Sequence, residues 1–290
     1  MDLFSFLVQA LNSIQYGLLL FLIASGLTLV FGIMGIINLA HGSFYMIGAY
    51  AAFALTSMTG DLFTAILLGV PLSFAFGAAL EWLLFKYLYK RDHLEQVLLT
   101  YGLILIFEEL RSLMVGDDVY GVPMPAFLSS SFALNETLNY PVYRVFMSVV
   151  CIILAAGMYF LIQRTRLGMM IRAGSVNREM VQSLGININV IYRIVFALGV
   201  TLAAFGGMIS APISSVSPGM GGQVLIISFV VVVIGGIGSV WGALLGSLII
   251  GFADTFGKVL FPQFAGVAVY LVMAAVLLWR PEGLLSKGNK

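Results

Sequence analysis

The feature that most limits this chain is the recurrence of apolar stretches long enough to cross a bilayer. They run at about Val8–Phe31, Ile37–Met58, Leu62–Leu84, Val97–Val115, Val142–Ile162 and Val190–Ile209. A short run follows at Val224–Ile234, then a glycine-rich one reaching about Leu260 and a last one ending at Trp279. Roughly 20 apolar residues in a helix span the hydrocarbon core of a membrane. Only 9% of the 290 residues are charged against 61% hydrophobic, too few for a soluble domain of this size to cover itself. The sequence therefore predicts an all-α, polytopic transmembrane helical bundle of about eight to nine membrane segments, with broken or re-entrant helices among them. The N-terminal stretch MDLFSFLVQALNS has neither a basic region nor a small-residue cleavage site, so the first run reads as a retained span.

One stretch breaks the apolar monotony. Gly32–Tyr50 reads GIMGIINLAHGSFYMIGAY and places Asn38, His41 and Ser43 among glycines between two long apolar runs. Polar groups at membrane depth are costly and mark either a pathway or a packed interface. Glycine lets the backbone bend and neighbouring helices approach. The reading is a bent helix beside the route of a solute, with Asn38, His41, Gly42 and Ser43 as candidates to line it. A hydrogen bond to a carbonyl across helices is an equally good account of His41 and Asn38.

Lysine and arginine set the orientation, because cytoplasmic loops collect them. The segment Lys86–Arg91 (with Lys90), the loop Arg164–Arg178 with nearby Arg193, and the tail with Arg280, Lys287 and Lys290 hold most of the 14 basic residues. All three segments are assigned to the cytoplasm, and the C-terminus with them. Nine segments put the N-terminus outside; a re-entrant Val224–Ile237 makes the count eight and reverses that side. Residues 116–141 read as a polar outer loop with two acids at its head and three prolines, holding a short strand or an interfacial turn. Glu108 and Arg111, three apart, can pair along a helix face. Asp254 sits inside an apolar segment and needs a partner or water.

The loop 164–189 is amphipathic: Leu167, Met170, Ile171, Val181, Leu184 and Ile186 alternate with basic and polar residues. Within it Glu179–Gly185 reads EMVQSLG, a short helix followed by a glycine turn. Such an element can plug into a groove of a partner protein or lie on the membrane surface through its arginines. Gly238, Gly242 and Gly246 are spaced by four, which places them on one helical face for close packing. Gly42-Ser43 with Gly48-Ala49 faintly echoes Gly238-Ser239 with Gly242-Ala243; the similarity is too short to establish an internal repeat.

Chemistry is otherwise sparse. His41 and His93 stand far apart, and no HExxH spacing, GxSxG elbow or GxxxxGK[ST] phosphate loop is present. No catalytic residue, metal site or cofactor is assigned. The lone Cys151 excludes an intrachain disulfide and a cysteine-built metal site. The net charge of +1 gives no ground for nucleic-acid binding.

Taken together, GIMGIINLAHGSFYMIGAY, RTRLGMMIRAGSVNREMVQSLGIN, LAAFGGMISAPISSVSPGMG, GGIGSVWGALLGSLIIG and RPEGLL resemble, in order, the permeases of branched-chain amino acid ABC importers, the LivH type in particular. The likeness covers nearly the whole chain and is weakest at residues 116–141. Glu179-x5-Gly185 is similar to the EAA-x3-G coupling pattern of such permeases, with Met180 and Val181 where the alanines would be. The resemblance implies a single permease domain over 1–290 in a bacterial inner membrane. It also implies a second, similar but different permease subunit (a heterodimer), two ABC ATPase subunits and an extracytoplasmic solute-binding protein. Loop 164–189 would then couple to an ATPase through Arg172, Glu179, Leu184, Gly185 and Ile186. The implied cargo is leucine, isoleucine and valine. Urea or short amides are the alternative within the same machine, and a stand-alone channel or ion-coupled carrier is the alternative of another class.

Overall fold

The computed structural model describes residues 3–89, 91–135 and 138–285; Lys90, Lys287 and Lys290 of the basic segments lie outside them. Among the described residues the protein is a helical bundle with one small hairpin. In order it runs α1 (Leu3–Met34), α2 (His41–Thr59), α3 (Leu62–Leu83), α4 (His93–Val115), β1 (Ser131–Asn135), β2 (Leu138–Pro141) and α5 (Val142–Arg164). It continues with α6 (Arg166–Val176), α7 (Arg178–Ser183), α8 (Ile188–Ser214), α9 (Met220–Gly235), α10 (Val240–Leu260) and α11 (Ala265–Trp279). Five segments, Leu3–Met34, Leu62–Tyr87, Val142–Arg164, Ile188–Ser214 and Val240–Leu260, are long and apolar enough to cross a membrane. Met220–Gly235 and Gly266–Trp279 are apolar but shorter. At 16 residues α9 is about 24 Å long, less than the roughly 30 Å of bilayer hydrocarbon.

The chain folds as two compact units. One comprises Gly26–Pro123 and Ala156–Ile226. Here α2, α3 and α8 pack on one another where small residues let backbones meet. A Cβ at Gly48 of α2 would stand 2.0 Å from the Ala204 carbonyl oxygen of α8, and one at Gly207 of α8 would stand 2.0 Å from the Tyr45 carbonyl oxygen. Tyr45 and Ser210 add a 2.7 Å hydrogen bond between the hydroxyls of the same two helices. Phe44 is the centre of an aromatic cluster. Its ring meets Phe76 of α3, Phe107 of α4 and Phe196 of α8 at centroid distances of 6.4, 6.0 and 6.1 Å. Edge-to-face and tilted rings at such distances are favourable beyond their burial.

The other unit comprises Met1–Ser25, Met124–Ala155 and Ile227–Lys290. In it α1 and α10 cross at Gly17 and Gly251, where an added Cβ on Gly251 would meet Gly17 Cα at 2.8 Å. Arg144 of α5 donates to the Asn12 side chain of α1 at 2.9 Å. The tail folds back on the end of α9: the Leu284 and Leu285 N–H groups donate to the Ile234 and Gly235 carbonyls at 2.8 and 3.1 Å. Helix ends carry carbonyls without intrahelical partners, and the RPEGLL segment supplies donors for two of them.

Several boundaries differ from the sequence reading, each for a local reason. The apolar run Ile37–Met58 is not helical from its start. The chain leaves α1 through Gly35 at φ +69° and resumes helix only at His41, so the bend is a full break over residues 35–40. Gly238 is not on the face of α10. It lies in the turn before the helix, at φ +78°, while Gly242 and Gly246 face α9 against Gly235 and Val231. The helix starts after Gly238 because the Ser239 hydroxyl caps it, accepting from the Gly242 N–H at 3.0 Å. In residues 116–141 the strand expected from the sequence is one half of an antiparallel hairpin pairing Phe132 with Tyr140. Asp254 has Lys258 as its partner at 2.5 Å, one helical turn on, and Glu108 faces Arg111 at 3.4 Å.

Backbone-range packing of α2 on α8 leaves no room for a side chain. Gly207→Val should lower the thermal unfolding midpoint in detergent, with a destabilisation of about 1–3 kcal/mol. Gly102→Ala, inside α4 at a glycine with open space around it, should not lower the midpoint and should raise it slightly.

Candidate functional site

The sequence singled out two places in the Gly26–Pro123 and Ala156–Ile226 unit that hold polar groups. The first is the break between α1 and α2. Asn38 is 1% exposed, as is His41. The Asn38 side-chain oxygen accepts from the Ala40 N–H at 3.1 Å, and its backbone carbonyl accepts from the His41 N–H at 3.4 Å. Asparagine thus supplies the acceptors that a helix would have supplied, which is why the chain can leave helical geometry here. Its side-chain Nδ2 has no hydrogen bond among the described residues. A buried donor left in this way costs roughly 1–3 kcal/mol.

His41 opens α2 and lies against the crossing of α1 and α8. An added Cβ on Gly26 would meet its Cε1 at 3.1 Å and the Gly199 carbonyl oxygen at 2.7 Å. Its ring also meets Phe44 edge-on at 6.3 Å. Gly42 is a contact point: a Cβ there would stand 2.1 Å from the Gly221 carbonyl oxygen. Ser43 is buried beside it. The structure therefore places Asn38 in the break and His41, Gly42 and Ser43 on the first turn of α2 beside it, all four buried, with Gly42 engaged in packing.

The second place is the segment 164–189. It consists of two short helices, each entered through a polar cap. The Thr165 hydroxyl accepts from the Gly168 N–H at 3.1 Å to start α6, and the Asn177 side chain accepts from the Met180 N–H at 2.9 Å to start α7. Asn187 caps α8 in the same way, accepting from the Asn189 N–H at 3.1 Å. The turn after α7 rests on Gly185 at φ +80°, with the Ile186 N–H returning to the Val181 carbonyl. Any residue with a Cβ is strained there.

Ile171 and Val181 point inward and are buried, whereas Met169, Val176, Met180 and Leu184 are exposed, Leu184 by 70%. Glu179 is exposed in the first turn of α7, and Ile186 is half-buried. Arg172 does not join the exposed edge. Its guanidinium donates to the Ile162 carbonyl and to the Gln163 side chain, and so ties α6 to the end of α5.

The sequence reading missed a cluster at the cytoplasm-assigned end of α3. Glu81 is fully buried. Its carboxylate accepts from Arg193 Nε of α8 at 2.9 Å and from the Tyr89 hydroxyl. Tyr89 and Tyr192 meet edge-to-face at 5.0 Å, and the Arg178 guanidinium of α7 lies 5.4 and 5.1 Å from their ring centres. Burial, and then donation to Glu81, pushes the Tyr89 phenol well above its ordinary value, so it remains a donor. The signal was available: Glu81 is a lone acid in an otherwise apolar run. Among the described residues no group of three or more His, Cys, Asp or Glu side chains is arranged to hold a metal ion.

Comparison with known proteins follows the same lines. A family model described as branched-chain amino acid transport system / permease component matches residues 9–279. The chain is 32% identical to the high-affinity branched-chain amino acid transport system permease protein BraD of Pseudomonas aeruginosa, over 99% of this chain and 97% of that protein. It is 29% identical to the corresponding permease protein LivH of Escherichia coli, over 97% and 96%. To the permease protein LivM of the same species it is 27% identical, over 90% of this chain and 66% of that one. No solved structure gives a significant match.

Glu81 and Arg193 should depend on each other. Glu81→Leu leaves a guanidinium facing protein without its carboxylate, and should destabilise the purified protein by about 3 kcal/mol, the low end for a broken buried pair because Arg193 is partly exposed. Replacing both by leucine should recover more than half of that loss in thermal unfolding.

Proposed function

Because the chain belongs to the family of branched-chain amino acid transport system permease components, we propose that it is the membrane-spanning subunit of an ATP-driven importer, moving leucine, isoleucine and valine handed over by an extracytoplasmic solute-binding protein. On this reading residues 1–290 act as one permease domain in a bacterial inner membrane, with the C-terminus in the cytoplasm. Two separate ATPase subunits hydrolyse ATP. A second, different permease completes the membrane part. Support for that last point is that one organism has two proteins named as permeases of a branched-chain amino acid system, LivH and LivM, and both are similar to this chain.

The observation that carries the reading is the exposed apolar edge of segment 164–189. Met169, Val176, Met180 and Leu184 project from capped helices whose opposite side is buried against the same unit. A helix lying on the membrane surface would bury an apolar face and present basic residues beside it. Here Arg172 and Arg178 turn inward to protein partners, and the exposed arginines, Arg164 and Arg166, stand at the start of the segment away from α7. An apolar edge flanked by Glu179 suits a groove in a partner protein. Gly185 sets the turn that presents it. Asn38, with its uncommitted buried donor, is the residue of the α1–α2 break assigned to the solute route; His41 and Ser43 flank it.

The test is reconstitution in vesicles. The chain with its partner permease, the ATPases, binding protein and ATP should accumulate labelled leucine, in competition with isoleucine and valine and not with urea. The chain alone should accumulate nothing, and robust movement by it alone overturns the reading. In the complete system Leu184→Asp should abolish capture of the ATPase subunits. Gly185→Val should leave membrane insertion intact and cut uptake per ATP at least tenfold. Asn38→Ala should lower uptake while the complex still assembles.

A further inference from the structure

Segment 164–189 can only drive the membrane part if its movement is passed on, and α6 and α7 are short. Two attachments tie them to other elements of their unit. One is Arg172, which holds α6 to the end of α5. The other is Arg178, the first residue of α7, whose guanidinium sits against Tyr89 and Tyr192. Tyr192 and Arg193 are neighbours on α8, and Arg193 grips Glu81 on α3, which in turn accepts from Tyr89. The chain of contacts Arg178, Tyr192 with Tyr89, Arg193, Glu81 therefore runs without a gap from α7 to both α8 and α3. Of those two helices α8 is packed on α2 at backbone range, and α3 packs on both, at backbone range on α8 where Gly77 meets Ala197, so a displacement of their ends reaches α2, the helix that follows the break at residues 35–40.

We propose that Arg178 is a positioning residue for energy coupling: its cation, seated against the edge-to-face pair Tyr89 and Tyr192, latches the coupling helix α7 to α3 and α8, and carries ATP-driven displacement into the bundle. This rests on the coupling reading of segment 164–189. A guanidinium suits the task. It is charged at every physiological pH and, being planar, it stacks on aromatic faces. Its partners are themselves fixed, Tyr89 by its bond to Glu81 and Tyr192 by burial. Arg178 is not part of the exposed apolar edge, so latch and docking surface can be separated by mutation.

The experiment uses the complete reconstituted transporter and reads three quantities: ATPase subunits retained on purification, ATP hydrolysed, and leucine imported per ATP. With Arg178→Ala the ATPase subunits should remain bound and hydrolysis should continue, while leucine per ATP falls about three- to tenfold, the scale of one to two cation–π contacts. Tyr192→Leu should do the same, Tyr192→Phe should match the native ratio, and Arg178→Ala with Tyr192→Leu should be no worse than either alone. If Arg178→Ala does not accumulate in the membrane, Arg178→Gln reads the same ratio without the charge. A native ratio in either Arg178 variant, additive losses in the double variant, or loss of the ATPase subunits from an Arg178 variant each overturns the latch. The parent reading fails differently, through Leu184→Asp keeping its ATPase subunits.

Discussion

Helices in a bilayer gain nothing from hydrophobic burial against one another, because lipid tails are as apolar as leucine. What holds α2 to α8 is contact at backbone range, made possible where Gly48 meets Ala204 and Gly207 meets Tyr45. That constraint reaches well beyond the pair. With the backbones this close, the larger side chains have defined places: Phe44 fills the space shared with α3, α4 and α8, and Tyr45 reaches Ser210. It also decides where irregular backbone can exist. Non-helical backbone at membrane depth is tolerated only inside protein or along a cavity, and the turn at residues 35–40 lies within the unit that this packing assembles.

Much of this was legible in the apolar runs, since a stretch of bilayer length has few alternatives to helix. Gly60-Asp61 was legible too, because an αL cap followed by an acid that accepts from Thr64 is local chemistry. The start of α2 was not. Most residues after Gly35 are as apolar as those of a helix; the chain leaves α1 at Gly35 in the left-handed region, and the Asn38 side chain holds the turn by accepting from the Ala40 N–H. Gly238 misled in the opposite sense. A spacing of four places residues on one face only if all of them are helical, and the Ser239 cap starts the helix just after Gly238. Glu81 was passed over although it is a lone acid in an apolar run, because the sequence does not name its partners: Arg193 is 112 residues away, and Tyr89, eight residues on, lies beyond the end of the helix.

Segment 164–189 shows how a short element is kept in shape. Isolated helices of six or eleven residues are unstable in water. Here the entropy of ordering is offset by caps at Thr165 and Asn177, by burial of Ile171 and Val181, and by the attachments of Arg172 and Arg178. Each of these uses the inward side. The outward side is left to Met169, Val176, Met180 and Leu184, whose side chains are mostly exposed. Flexible, polarisable methionines suit a surface that must be gripped and shifted, and the proposed docking uses what stability does not.

The same division applies to Asn38. Its side-chain oxygen is spent on the backbone, and an aspartate or serine could provide that acceptor equally well. What asparagine adds is the amide donor, and the donor is the half without a hydrogen bond among the described residues. A group that costs roughly 1–3 kcal/mol and stabilises nothing is poorly explained by folding alone. Strain and unmet bonds of this kind persist where the surroundings hold them and where another state uses them. An importer alternates between states, and a donor free in one is available to a solute carbonyl or carboxylate in the next. The unmet bond at Asn38 therefore fits the proposed route better than a purely structural turn does.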